Sequence, residues 1–166
     1  MIIRKAVLED IHVLIKLRMD FLTSYVKLMS ESESKILEEN LFNYFSKHIP
    51  LGDFIAYICE IDDKAVSVAF LTISEKPPNP NFITGKTATV HNVFTYPEYC
   101  RRGIASKLLQ LLIEEAKSQN VSSIELLATE AGKPLYRRLG FEEPENTYMR
   151  MNVLDEEFFS WRNQYK

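Results

Sequence analysis

Glycine is scarce in this 166-residue chain, which holds five. The glycine-cradled nucleotide loops are therefore missing: neither GxGxxG nor GxxxxGK[ST] occurs. Cysteine is scarcer still, and Cys59 and Cys100 are too few for a disulfide framework. No apolar run is long enough to span a membrane. Arg4 and Glu9 fall where a secretory signal would be continuously apolar. Charge of one sign is also lacking. The net charge of −3 does not indicate a nucleic-acid binder. There is no internal repeat and no low-complexity linker. These absences lead us to expect one cytoplasmic domain over residues 1–166, with no metal site and neither nucleic acid nor membrane as partner. With 46% hydrophobic and 26% charged residues, the chain has an ordinary globular composition and enough length for a real core.

The stretch Thr87 to Ala116 organises the rest. Thr87, Thr89, Val90, Val93, Phe94 and Thr95 are β-branched or aromatic and suit a strand, which Pro97 ends for want of an N–H. Ile104, Leu108, Leu111, Leu112 and Glu115 then repeat at helical spacing, with Ala105, Leu109 and Ala116 widening the apolar side. Between strand and helix lies Cys100-Arg101-Arg102-Gly103-Ile104-Ala105-Ser106. Unpaired amides at a helix start, the positive end of its dipole and two guanidinium groups make an anion site suited to a phosphate or pyrophosphate. The plainer alternative is an ordinary helix start with a solvated basic pair.

Around this stretch the elements follow in order. Met1 to Ala6 predicts a short strand, and the run from Ile11 to about Met29 predicts a helix with Glu9 and Asp10 at its start. Ser30 and Glu33 form a capping box for a second helix, which ends near His48 and Pro50 with His48 as an exposed terminal cation. Phe54 to Ile61 and Ala65 to Ser74 predict a hairpin across Asp62-Asp63-Lys64. Glu75 to Asn81, with three prolines, is a surface loop that could close over a substrate or merely connect. After the long helix come a buried strand over Ile124 to Ala128 and a short helix over Leu135 to Leu139 stopped by Gly140. A closing hairpin is predicted from Phe141 to Glu143 and Thr147 to Val153. Asp155 caps a last helical piece whose Phe158, Phe159 and Trp161 either pack back on the domain or form a homodimer contact. The order predicts an α/β fold with a mixed sheet.

The junction resembles the acyl-CoA loop Q/R-x-x-G-x-G/A of the GNAT N-acetyltransferases, with Gly103 and Ala105 at the small positions and Cys100 where the family has Arg or Gln. NVFTYPEY before it, and PLYRRLGF from Pro134 to Phe141, resemble the family's preceding strand and its later "lYeklGF" block. The opening MIIRKAVLEDI extends the likeness over most of the chain. The resemblance implies a mostly antiparallel central sheet flanked by helices, with splayed central strands forming an acyl-CoA cleft. It implies acetyl-CoA as cosubstrate, with Val93, Phe94 and Thr95 along the pantetheine arm. The pyrophosphate would lie on amides of Arg101, Arg102, Gly103, Ala105 and Ser106, and Thr129 falls where many relatives have a cofactor-binding Asn. Cys100 reads as a small packed residue. On the acceptor side the resemblance points to Tyr25, Met29, Phe42, Tyr44 and Phe45, with core packing as the alternative.

Acyl transfer from a thioester to an amine must deprotonate the amine, stabilise an oxyanion and protonate a thiolate. Tyr136 matches the family's general acid, and a phenol of pKa about 10 is suitably protonated at neutral pH. Many relatives carry a glutamate base on the central strand, where this chain has His91 and Asn92. His91 has the right intrinsic pKa, and strand alternation predicts that only one of the pair faces the cleft. Glu130, a water chain, or an amine that arrives neutral are the alternatives. The expected activity is transfer of acetyl to a primary amine of a small molecule by direct attack. A protein or peptide amine is the alternative acceptor, and a non-catalytic CoA sensor the alternative class. The acidic balance leans toward cationic acceptors.

Overall fold

The computed structural model describes residues 1–25, 30–145, 148–149 and 151. Five strands form one sheet in sequence order: β1 (Ile2–Lys5), β2 (Phe54–Ile61), β3 (Lys64–Glu75), β4 (Lys86–Thr95) and β5 (Ser123–Leu126). The first four pair antiparallel and β4–β5 is parallel. That last connection needs a crossover, supplied by helix α3 (Ile104–Ser118). Helices α1 (Ile11–Tyr25) and α2 (Glu31–Leu51) precede β2, and the short α4 (Lys133–Arg138) follows β5.

The helices divide between the two faces of the sheet, and strand alternation supplies both cores. Phe54, Ala56 and Ile58 pack with Leu14, Leu17 and Phe45 of α1 and α2. Ile55 and Cys59 of the same strand pack with Leu108, Leu109 and Leu112 of α3. Glu115 stands on the inward stripe of α3 because it has partners there: Tyr57 Oη donates to Oε1 at 3.0 Å and Lys5 Nζ at 2.9 Å. Desolvation and that bond push the Tyr57 phenol up to about 12. On the other face, Arg4 ties β1 to the turn before α1, donating to both oxygens of buried Asp10 at 2.7 and 2.8 Å and to Glu60 at 2.7 Å.

Several expectations need amending. The capping box of Ser30 and Glu33 forms as predicted, and α2 runs on to Leu51. His48 is no free terminal cation: it stacks on Tyr44 at 4.3 Å and its Nδ1 meets Asp53 at 2.9 Å. Asp62 and Asp63 make a two-residue turn, both at positive φ, because the mirror-image turn matches the twist of paired strands. β5 is shorter than expected and half-exposed, with Leu127 beyond it 79% exposed. Phe141 to Glu143 forms no strand. The Phe141 N–H donates to Tyr136 O at 3.1 Å and Glu143 binds Arg137, so the segment folds back on α4. Much of the other half of that hairpin, and the Asp155 helix with Phe158, Phe159 and Trp161, lie outside the described residues.

Candidate active site

The β4–β5 ladder stops at Val90↔Leu126, while β4 continues to Thr95. Beyond that point the strands part, and the cleft-side backbone of His91 to Thr95 has no partner in β5. An open cleft of about 920 Å³ occupies the gap, and a hollow of about 200 Å³ adjoins it at the start of α3. The two share Thr95, Cys100, Ala105 and Leu135.

A bulge shapes the β4 wall. Val68 pairs with Phe94 and Phe70 with His91, so Asn92 and Val93 together stand opposite Ala69. Asn92 takes the left-handed conformation, φ 50°, which Asn tolerates better than most residues. Alternation is broken there. Both His91 and Asn92 line the cleft, where only one was expected: His91 is exposed and Asn92 is 5% exposed. The Asn92 Oδ1 accepts from Arg18 Nη1 of α1 at 3.0 Å, and its buried Nδ2 has no hydrogen-bond partner. Desolvation, reinforced by the Arg18 guanidinium, holds the His91 pKa below its ordinary value, with Glu125 pulling weakly the other way. These influences favour the neutral form of the imidazole, the form that accepts a proton.

Val93, Phe94 and Thr95 line the same wall. The floor of the smaller hollow is the turn into α3, with Arg101, Gly103, Ala105 and Ser106 around it. Gly103 sits at φ 75°, and a Cβ there would meet nothing within 4 Å. Its role is conformational: a left-handed residue reverses the chain into the helix. The first helical bond runs from Lys107 N–H to Gly103 O at 3.2 Å, leaving the amides of Ile104, Ala105 and Ser106 ahead of it without helical acceptors. Arg102 lines neither hollow. Its guanidinium covers Tyr99 at 5.2 Å and donates to Glu98 O at 2.9 Å. Cys100 is exposed at the junction of the two hollows, not packed away as expected.

The opposite wall comes from the turn into α4. Tyr136 lines the cleft with its ring edge-on to Phe141 at 6.0 Å. Thr129 lines it too, and its Oγ1 accepts from Gly132 N–H at 3.2 Å, so the hydroxyl shapes this turn. Glu130 is spent on the surface, paired with Lys133 at 2.8 Å.

Helix α1 closes the far side with Arg18, Asp20, Phe21, Thr23 and Ser24. Asp20 binds Lys16 at 2.6 Å and accepts from Tyr96 Oη. Burial pushes the Asp20 carboxyl up, but these two bonds outweigh it and hold it below its usual range. The aromatic candidates of α2 are elsewhere: Phe45 is core, Tyr44 packs on Phe54, and Phe42 lies over His12. The side chain of Tyr25, and Met29, lie outside the described residues. The proline loop does not reach the cleft. Thr84, beside Gly85 at its end, is bound instead to Asn120 O and Ser122 Oγ at 2.8 and 2.6 Å.

The sequence profile of the Acetyltransferase (GNAT) family matches residues 17–141. The chain belongs to the GNAT acetyltransferase family. A predicted acetyltransferase from Clostridium acetobutylicum, solved with acetyl-CoA, is 26% identical at a TM-score of 0.81, covering 92% of this chain and 96% of that one. The aminoglycoside N-acetyltransferase AAC(6')-Iy, solved with CoA, shares the fold at 13% identity and a TM-score of 0.71, covering 92% of this chain and 95% of that one. An uncharacterized N-acetyltransferase of Methanocaldococcus jannaschii, MJ1207, is 30% identical over 92 residues, which are 54% of this chain and 39% of that relative. Among the described residues, no helix of this GNAT protein is long and apolar enough to cross a membrane.

Proposed function

We propose that this GNAT acetyltransferase moves the acetyl group of acetyl-CoA to a primary amine of a small molecule, by direct attack and without an acyl-enzyme. The reading is carried by one observation: His91, the stretch of β4 without a β5 partner, the start of α3 and Tyr136 line a cleft and the hollow that adjoins it. The smaller hollow suits a pyrophosphate, since a helix N-terminus with free amides favours phosphate oxygens. Backbone groups of Val93, Phe94 and Thr95 then run beside the pantetheine arm, and an N–H among them would steady the oxyanion. The amine attacks the thioester carbon while His91, directly or through water, accepts its proton. Carbon–sulfur cleavage follows, and the Tyr136 hydroxyl protonates the departing thiolate. Thr129 stands beside Tyr136 as a lesser contact. Two free cysteines suit a reducing compartment, and we place the enzyme in the cytoplasm.

The test is release of free CoA from acetyl-CoA across a panel of small amines and peptides, with Tyr136→Phe alongside. Turnover on small amines that collapses in the variant supports the reading. Turnover confined to peptides moves the acceptor to proteins. Acetyl-CoA binding with no turnover on any acceptor points to a sensor.

A further inference from the structure

Two cleft-lining side chains carry full charge, and only one is compensated. Asp20 is matched by Lys16 and Tyr96. Arg18 has no carboxylate partner among the described residues; Nη1 binds the neutral Asn92 amide at 3.0 Å, and the guanidinium lies 5.7 Å from the Phe21 ring centroid. A guanidinium offers five N–H donors in a planar fork, so one bond to an amide leaves most of them unused. Burial also opposes its charge, lowering the Arg18 pKa from the ordinary arginine value. A desolvated cation without an anion is costly unless something supplies one. The local charge is thus opposite in sign to the chain's net charge, and the lean toward cationic acceptors does not survive in the cleft.

Position says which ligand would supply the anion. Arg18 adjoins Asn92 at the bulge, next to His91, and it does not line the hollow at the start of α3. Asn92 holds one edge of the fork and so orients the remainder. We propose that Arg18 is an anion clamp for the acceptor, and that the amine acetylated here carries a carboxylate or phosphate group. This rests on the reading above, that the cleft delivers acetyl to an amine near His91. Arg18 therefore selects the acceptor and leaves the donor half untouched.

The experiment compares matched amines on the full chain: L-amino acids against their carboxamides, and phosphoethanolamine against ethanolamine. Wild type should favour the anionic member about ten- to a hundredfold in kcat/KM, the worth of a charge-assisted hydrogen bond. Arg18→Gln should erase that preference through KM while leaving acetyl-CoA affinity and the circular dichroism spectrum unchanged. Arg18→Lys should restore part of it, because charge remains but the fork is lost. Whichever pair shows the preference identifies carboxylate or phosphate. Equal use of both members by wild type overturns the proposal. So does an Arg18→Gln loss that falls on kcat equally for both members, which would place Arg18 at the thioester. Should no amine be turned over, the function proposed above fails separately. Binding of N-acetylglycine and N-acetylglycinamide, and of N-acetylphosphoethanolamine and N-acetylethanolamine, with CoA present then decides. Arg18-dependent preference for either anion sustains the clamp, and no preference overturns it.

Discussion

The ring edge of Tyr136, at Cε2, lies 2.9 Å from where a Cβ on Gly132 would stand. Gly132 has ordinary helical angles, φ −83° and ψ −28°, so alanine fits its backbone; its methyl meets the tyrosine ring first, with Thr129 Oγ1 next at 3.3 Å. Gly132→Ala should therefore leave the fold intact but displace the phenol. Because misplacing a reacting group by about 1 Å can cost about a hundredfold, we expect kcat to fall ten- to a hundredfold. Steady-state kinetics, with thermal unfolding as a control, checks this. An unchanged kcat would argue against Tyr136 acting on the leaving group.

Tyr136→Phe keeps the edge-on contact with Phe141 and removes only the hydroxyl. Loss of general acid help should lower kcat by about 10²–10⁴. The KM for acetyl-CoA should hardly move. A matching rise in KM would instead make the hydroxyl a binding group.

As the base proposed here, His91 would act when deprotonated, so kcat/KM should rise with pH through its pKa. Desolvation against the cleft wall and Arg18 lower that pKa, Glu125 raises it, and the acid limb should lie below the ordinary histidine value of about 6.5. In Arg18→Gln the limb should move up, since one lowering influence is gone. An anionic acceptor bound to Arg18 would have the same effect, so the limb in kcat should sit above that in kcat/KM. His91→Gln should abolish the limb. Persistence of the limb in that variant would assign the base elsewhere.

Asp10 is held below its usual carboxylate range chiefly by the Arg4 bonds, with the Val7 N–H adding at 2.8 Å. A depressed folded pKa stabilises at pH above the unfolded value of about 3.9 and loses that contribution as pH falls through the folded one. Asp10→Asn should cost about 1–3 kcal/mol in urea unfolding at neutral pH. The gap to wild type should narrow under acid conditions. A constant gap would assign the loss to packing.

Strands β2 to β4 were legible from their runs of β-branched and aromatic residues, and helices α1 to α3 from apolar residues at helical spacing over several turns. α3 is the clearest case, with Ile104, Leu108, Leu112 and Ala116 all buried. What escaped has local causes. The bulge at Asn92 breaks the alternation on which the choice between His91 and Asn92 depended, although Asn within a β-branched run was a cue. Arg18 stood among the apolar positions of α1, a charge on a buried stripe, and that misfit was the available signal for the anion clamp proposed above. Phe141 next to Gly140 looked like a strand start, but its ring serves Tyr136. Tyr44 and Phe45 of α2 met each other and the sheet in place of a ligand, because they lie on the inward side of the helix.

The short β4–β5 ladder makes β4 two segments to solvent. Amides of Thr87 to Val90 sit between two strands, whereas His91 to Thr95 have β3 on one side and open cleft on the other. Amide hydrogen exchange should divide the strand at Val90, slow before it and faster among the cleft-facing amides after it. Acetyl-CoA would then complete the sheet in the manner of a missing neighbour, and the second segment should slow to match the first.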